Sequence, residues 1–415
     1  MKVFKFGGAS VKDADGVRNL ACILNRFSDD IVVVVSAMGK TTNAMEVIVK
    51  NYFEQDDTVW SKFEEVKGNH LAICNALFEN NTTPSSVLSL FEQLEAKLKT
   101  EPSVNFDYEY DQIVCFGELL STTIISEYLN TFHTATQWID IRKCLKTDGI
   151  HRDANINWQL SQQFIYETFN FKNQKRFITQ GFLGATTANI TTTLGREGSD
   201  FTAAIIANIL DAEAAVIWKD VPGILNADPQ YFEATKKLDE ISYKEAIEMT
   251  FSGAKVIHPK TLKPLENKNI PLHVKSFIEP EKEGTIIKEL EGVQKLMPIF
   301  ILKQDQVLLT ASPKDLSFMQ EEAISQLFSI LAQFRVKVNL VQHSAISFSI
   351  AIDKPERNFE ALVEALANEF EVKYNEQLDL ITIRYYDEES IDQITKDRSV
   401  FVEQKTRNTG RFLLK

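Results

Sequence analysis

The stretch VFKFGGASVKDADGVRNLACILNRFSDDIVVVVSAM (residues 3–38) decides the fold. VFKF (3–6) reads as a short strand that runs into Gly7-Gly8. A helix is predicted across 14–27, and DIVVVVSAM (30–38) is a continuous apolar run of the kind buried in a parallel sheet. The same alternation continues along the chain. FITQGF (177–182), AAVIWKDV (214–221), VIHP (256–259) and LHVKSF (272–277) are further strand candidates. FTAAIIANIL (201–210) is an apolar helix that opens directly after Gly198-Ser199-Asp200. Alternating βαβ units predict an open, mainly parallel α/β sheet sandwiched by helices. In such sheets ligands bind beyond the carboxyl ends of the strands.

Glycine placement divides the chain. Fifteen of the 16 glycines lie within residues 1–292, and none falls between Gly292 and Gly410. Glycine marks tight turns and close approach of backbone to a ligand, so the ligand site is expected in that first part. A second gap, from Gly68 to Gly117, suits a helical insertion; LSLFEQLEAKL (88–98) has apolar residues at helical spacing. The C-terminal part has its own rhythm. VLLTAS (307–312) reads as a strand and EEAISQLFSILAQF (321–334) as an amphipathic helix. Strands VKVNLVQ (336–342) and AISFSIAI (345–352) follow, then a helix at 356–369 and a strand at 370–374, which makes one βαββαβ unit. LDLITIRYY (378–386) opens a second pass, with a short helix near 388–395 and a hairpin from SVFVEQ and GRFLLK. This second copy is expected to be cut short, without its own second helix and last strand.

A length of 415 residues predicts two or three domains. With 44% hydrophobic and 25% charged residues, the composition excludes a disordered, collagen-like or low-complexity chain. The net charge of −13 argues against nucleic acid or an anionic membrane as the main partner. No apolar run is long enough for a membrane span, and MKVFKFGGAS reaches glycine too early for a signal peptide. Cys22, Cys74, Cys115 and Cys144 are isolated, so they read as buried hydrophobes in a reducing compartment and not as a zinc site. A cytoplasmic location is expected.

Five clusters carry candidate chemistry, and one stretch imitates a P-loop. Gly39-Lys40-Thr41 follows a buried strand, but Val34 stands where a phosphate-wrapping loop needs its first glycine. In KFGGAS (5–10), Lys5 leaves a strand just before two glycines whose N–H groups can face an anion; a plain turn with a solvated lysine is the alternative. In TTTLGREGSDFTAAII (191–206), Arg196 sits on a glycine-bounded turn, suited to gripping a carboxylate. Ser199 and Asp200 there are either ordinary helix-capping residues or groups that orient cations near phosphates. WKDVPGILNADP (218–229) places Asp220 at a strand end, before a turn that can frame a nucleotide. SGAKVIHP (252–259) puts Lys255 just beyond a glycine. CFGELLST places Glu118 in a helix, where an acid also serves simply as a dipole partner.

Taken in order, KFGGAS, SAMGKTTN, CFGELLST, TQGF, TTTLGREGSD, KDVPGILNADP and SGAKVIHP strongly resemble the motifs of the aspartate kinases, members of the amino-acid kinase family. The resemblance implies ATP on the C-terminal half of the sheet and the amino acid on the N-terminal half. It implies transfer of the γ-phosphoryl of Mg-ATP to the side-chain carboxylate of L-aspartate, giving L-4-aspartyl phosphate. Lys5, aided by Gly7 and Gly8, would hold the phosphoryl in flight, and Asp200 would orient lysines or Mg2+. Ser36, Thr42, Glu118, Phe182, Arg196 and Ser199 would form the aspartate pocket, with Arg196 on the α-carboxylate and Glu118 on the α-ammonium. Lys5, Gly8, Ser10, Lys219, Asp220, Leu225, Gln230 and Lys255 would contact ATP, and no residue is assigned as a metal ligand. By resemblance, 1–292 is the catalytic domain with a helical insertion at about 52–112. Residues 299–376 are an ACT-like domain and 377–415 a truncated second one, through which a homodimer is expected.

Several positions depart from the family pattern. Ala9 replaces the usual threonine, Lys219 another threonine, and Gln230 an arginine at the nucleotide. Asn339 and Ala345 stand where lysine-sensitive relatives tend to carry acids, so weak feedback by lysine is expected. Two competing readings remain: a kinase of the same fold acting on another amino acid or a nucleotide, and a catalytically weak ACT-containing amino-acid sensor.

Overall fold

The computed structural model describes residues 1–131, 135–254, 257–291, 297–315, 317–355 and 358–415. It forms two compact units. The first comprises Met1–Ile224, Lys237–Ile247 and Val256–Glu291, and the second Leu225–Lys236, Glu248–Lys255 and Gly292–Lys415.

The first unit is built on an eight-stranded sheet. Its strands are β1 (Lys2–Phe6), β2 (Ile31–Val35), β3 (Gln137–Ile139), β4 (Arg176–Gln180), β7 (Ala214–Lys219), β8 (Glu240–Ser242), β9 (Leu272–Ser276) and β10 (Thr285–Lys288), in the spatial order β3-β4-β2-β1-β7-β9-β10-β8. A separate hairpin pairs β5 (Leu183–Ala185) with β6 (Thr191–Thr193). Only β9 and β10 pair antiparallel in the large sheet. β2 is buried at every residue because it runs between two parallel neighbours, β1 and β4. β1 shows how the face is set. Lys5 alternates with Phe4 and Phe6, so the two rings go to the opposite face, where they pack with Phe27 and Trp218.

The helices of this part are α1 (Ala14–Leu24), α2 (Thr41–Phe53), α3 (Thr58–Leu77), α4 (Ser85–Leu98), α5 (Phe106–Thr131), α6 (Trp158–Thr168), α7 (Gly198–Ile209), the first half of α8 (Tyr243–Ser252), whose residues from Glu248 on belong to the second unit, and α9 (Pro259–Glu266). The Gly68–Gly117 gap is occupied by α3, α4 and the start of α5. Two strand readings need correction. β4 stops at Gln180, because Phe182 has φ 66° and a β-carbon on Gly181 would lie 2.4 Å from Ser199 Cβ. VIHP is not a strand where it is described. His258 Nδ1 accepts the Lys260 N–H as a helix cap, and Pro259, lacking a donor, begins α9.

The second unit is a six-stranded antiparallel sheet with helices α10 (Glu321–Gln333), α11 (Phe359–Glu369) and α12 (Glu388–Thr395). Its strands are β11 (Ile299–Pro313), β12 (Val338–His343), β13 (Phe348–Asp353), β14 (Phe370–Arg384), β15 (Val400–Lys405) and β16 (Thr409–Leu414), ordered β12-β13-β11-β14-β16-β15. β11 begins eight residues before VLLTAS, and the strands read at 370–374 and 378–386 are one strand. Two register shifts between Lys303 and Leu308 separate β11 into halves. Its later half pairs with β13 in the first βαββαβ unit, while Ile299–Lys303 pairs with Leu380–Arg384 beside β16. The last strand that seemed missing from the second copy is therefore supplied by chain that precedes the first. Asn339, at a position where lysine-sensitive relatives tend to carry an acid, is fully engaged. Its Oδ1 accepts from Lys303 Nζ at 2.7 Å, and its Nδ2 donates to Gln306 Oε1 and Asp353 Oδ1 at 2.8 Å each.

Ile383 is buried with Ile381, Ile394, Phe412 and Leu414 at the centre of that second copy. Ile383→Ala is expected to cost about 2–5 kcal/mol, from lost burial plus the cavity left behind. Urea unfolding followed in the far ultraviolet checks this; a loss below about 0.5 kcal/mol, the scale of an exposed substitution, would contradict the packing.

Candidate functional site

The site lies at the carboxyl end of β1, β2 and β4, where α7 begins and α5 crosses. A cleft of about 460 Å³ is lined there by Lys5, Ser36, Thr42, Glu46, Tyr110, Glu118, Arg152, Phe182 and Gly195–Asp200. Lys5 Nζ and Asp200 Oδ1 stand 2.5 Å apart as a largely buried ion pair. Asp200 occupies the first turn of α7, where the helix dipole favours an anion. The ammonium lies over the glycine turn: a β-carbon on Gly7 would be 3.6 Å from it. Gly8 has a stricter reason to be glycine. A side chain there would meet Ala37 O at 2.5 Å, so its absence lets the loop after β2 close onto the turn, and the Gly39 N–H donates to Gly8 O at 2.9 Å.

Glu118 is buried at 2% exposure in the middle of α5. Its Oε1 accepts a long hydrogen bond from the Ala37 N–H, at 3.4 Å, and its Oε2 has no partner among the described residues. Burial pushes its carboxyl up to about 8, against the opposing pull of the Ala37 N–H and the Lys5 charge. The site thus holds an acid ready to ionise when a cation arrives. Phe182 donates its N–H to Thr202 Oγ1 at 3.1 Å, and its ring fills the space a Gly198 side chain would need. Ser36 is fixed through its carbonyl, which accepts from Ser121 Oγ at 2.8 Å. Arg196 is exposed on a turn between two left-handed residues, Gly195 at φ 74° and Glu197 at φ 56°.

The cleft brings together eight residues singled out from sequence: Lys5, Ser36, Thr42, Glu118, Phe182, Arg196, Ser199 and Asp200. Gly7 and Gly8 form the turn beside Lys5 without lining the cleft, and Ser10 is buried in the 3-10 turn that starts at Gly8. Lys219 closes β7 and Asp220 follows it, and neither lines the cleft. Leu225 and Gln230 belong to the second unit, and Lys255 lies outside the described residues. Besides Glu197, the neighbour of Arg196 in its turn, three lining residues escaped the sequence reading: Glu46, Tyr110 and Arg152. Tyr110 OH donates to Glu46 Oε1 at 2.8 Å, and Arg152 stacks 4.4 Å above the Tyr110 ring. Helical spacing holds the signal for two of them. Glu46 is four residues after Thr42 on α2, and Tyr110 eight before Glu118 on α5, so each shares a face with a residue already chosen. Arg152 sits in a loop and has no such signal.

A model described as the amino acid kinase family matches residues 1–276. The chain is 33% identical over 358 residues to the lysine-sensitive aspartokinase 3 of Escherichia coli, covering 85% of this chain and 78% of that protein. It is 31% identical to the chloroplastic aspartokinase 1 of Arabidopsis thaliana, covering 85% of this chain but only 63%, under two thirds, of the plant protein. Among solved structures, E. coli aspartokinase III in complex with aspartate and ADP superposes with a TM-score of 0.83 at 28% identity, over 100% of this chain and 96% of that one. No helix among the described residues is long and apolar enough to cross a membrane.

The raised Glu118 carboxyl sets the sign of a stability effect. The folded chain keeps a proton that the unfolded chain releases above its usual 4.5, so stability falls as pH rises from there toward about 8. Glu118→Gln removes this penalty. The variant is expected to melt above the native chain at pH 8.5, with the gap closing toward pH 4.5; a pH-independent gap would contradict the buried neutral acid.

Proposed function

We propose a reaction from this premise: the chain belongs to the amino acid kinase family and, within it, to the aspartokinases. It transfers the γ-phosphoryl group of ATP to the side-chain carboxylate of L-aspartate. The observation that carries the reading is the cleft itself, where a paired lysine, a buried acid with one unpartnered oxygen and an exposed arginine converge. The E. coli relative that superposes on the chain holds aspartate and ADP.

The residues divide the work by charge. A carboxylate is already a competent nucleophile, so no general base is required. The barrier lies in bringing two anions together and neutralising the charge that moves between them. Lys5 sits where the transferring phosphoryl must pass, between the glycine turn and α7. Asp200 holds its ammonium in place and keeps it from wandering. Arg196 takes the α-carboxylate of the substrate and Glu118 its α-ammonium, and together these read a zwitterion. Ser36, Thr42, Phe182 and Ser199 shape the pocket around it. Lys219, Asp220, Leu225, Gln230 and Lys255 serve the nucleotide. Mg2+ would arrive on the ATP phosphates, and Asp200, in the first turn of α7, would orient the lysines or the ion. When bound, the ion neutralises phosphate charge. A homodimer formed through the second unit, in the cytoplasm, completes the proposal; the unit's βαββαβ sheet supports the first part.

Trapping acyl phosphate with hydroxylamine tests the reaction. Hydroxamate is expected to require both L-aspartate and Mg-ATP, and Lys5→Ala to lower its formation by about a hundredfold or more, the usual cost of removing a transition-state charge contact. ATP binding without aspartate-dependent product would move the weight to another amino acid or to a sensor. The pH dependence has a definite direction. Glu118 must be ionised to pair with an ammonium, so KM for aspartate is expected to fall as pH rises from 6 to about 8, and Glu118→Gln to flatten that slope. An unchanged slope in the variant would remove Glu118 from the ammonium site.

A further inference from the structure

Arg152 lines the same cleft as Arg196, and its loop is built to hold it there. Its φ of 68° is a left-handed conformation that a side chain disfavours. Its N–H donates to the two carboxylate oxygens of Asp111, at 3.3 and 3.2 Å. Asp111 is wholly buried in α5, accepts from Thr193 Oγ1 at 2.7 Å, and lies 2.7 Å from His151 Nδ1. Thr193 closes β6, and Gly195-Arg196 follows after a single residue, Leu194. The two loops also touch directly. The Ala154 N–H donates to Thr193 O at 3.0 Å, and a β-carbon on Gly195 would lie 3.1 Å from Arg152 O. One buried carboxylate therefore ties the loop of Arg152 to the loop of Arg196.

The guanidinium itself lies 5.8 Å from the Phe106 ring centroid. It stacks on Tyr110, and its Nη1 pairs with Asp107 at 3.0 Å on the solvent side. An exposed pair of this kind holds weakly. Its planar fork remains able to take a carboxylate. The Arg152 loop packs against the loop of Arg196, whereas the carboxylate that attacks must reach Lys5.

We propose that Arg152 is a second guanidinium for the substrate's α-carboxylate, a specificity-determining residue acting beside Arg196, and that Asp111 is the positioning residue that sets it. This rests on the aspartate reading above. A pocket with two guanidiniums discriminates against a neutral α-substituent, because such a ligand forfeits the charge-assisted bidentate hydrogen bonds that a carboxylate makes.

The test crosses two changes: Arg152→Ala in the protein, and L-aspartate α-amide in place of L-aspartate. Each combination is read as kcat/KM or, where turnover is too slow, as a dissociation constant. For L-aspartate, Arg152→Ala is expected to lower kcat/KM at least tenfold, chiefly through KM, with KM for ATP unchanged. For the α-amide the same substitution changes the value less than twofold. Arg152→Lys recovers part of the loss, and Asp111→Asn, checked for native folding, raises KM for L-aspartate but not for the α-amide. Equal losses on both ligands, or no loss on either, would overturn the assignment while leaving the kinase reading intact. A native chain that neither turns over nor binds L-aspartate would overturn that reading, and this inference with it.

Discussion

A lysine at the end of a central strand and an aspartate in the first turn of a helix, 2.5 Å apart, set the geometry on which the rest of the cleft depends. Neither group can move independently. Lys5 is carried by a strand paired on both sides, and Asp200 by a helix whose start is pressed against Gly181 and Phe182. The remaining charges are arranged around this pair at graded depth: Glu118 buried beneath it, Tyr110 and Glu46 bonded together beside it, and the arginines at the rim. Buried charge is costly unless paired, and here the acid without a partner stays protonated until a cation comes.

Glycine does its part at the site through absence of bulk more than through flexibility. Gly8 and Gly181 both sit where a β-carbon would strike a neighbouring segment at 2.5 Å or less. Removing the side chain lets the turn after β1, the loop after β2 and the start of α7 crowd into one floor. Three segments distant in sequence then present their polar groups to one small volume.

Much of this was legible in the sequence, for identifiable reasons. A fully buried strand such as β2 declares itself by an unbroken valine run, and the ordered glycine motifs mark the turns around the cleft. What escaped depends on non-local facts. Arg152 is recruited by a carboxylate 41 residues earlier, which no local pattern reports. VIHP has strand-forming residues, but Pro259 starts a helix, and capping outweighed propensity. In the second unit the pass from 378 onward looked incomplete, because its last strand, Ile299–Lys303, precedes the first βαββαβ copy in sequence. Strand order in space, unlike strand identity, is not written in any window of residues.

The account stands or falls on which carboxylate receives the phosphoryl group. The most direct measurement is to incubate the native chain with Mg-ATP and L-aspartate, reduce the product with borohydride, and identify the amino alcohol formed. Phosphorylation of the side-chain carboxylate, which must lie at Lys5 while Arg196 and Arg152 hold the other end, yields homoserine. Recovery of 3-amino-4-hydroxybutyrate would mean that the α-carboxylate faces Lys5, and would contradict the orientation assigned to every charged residue of the cleft.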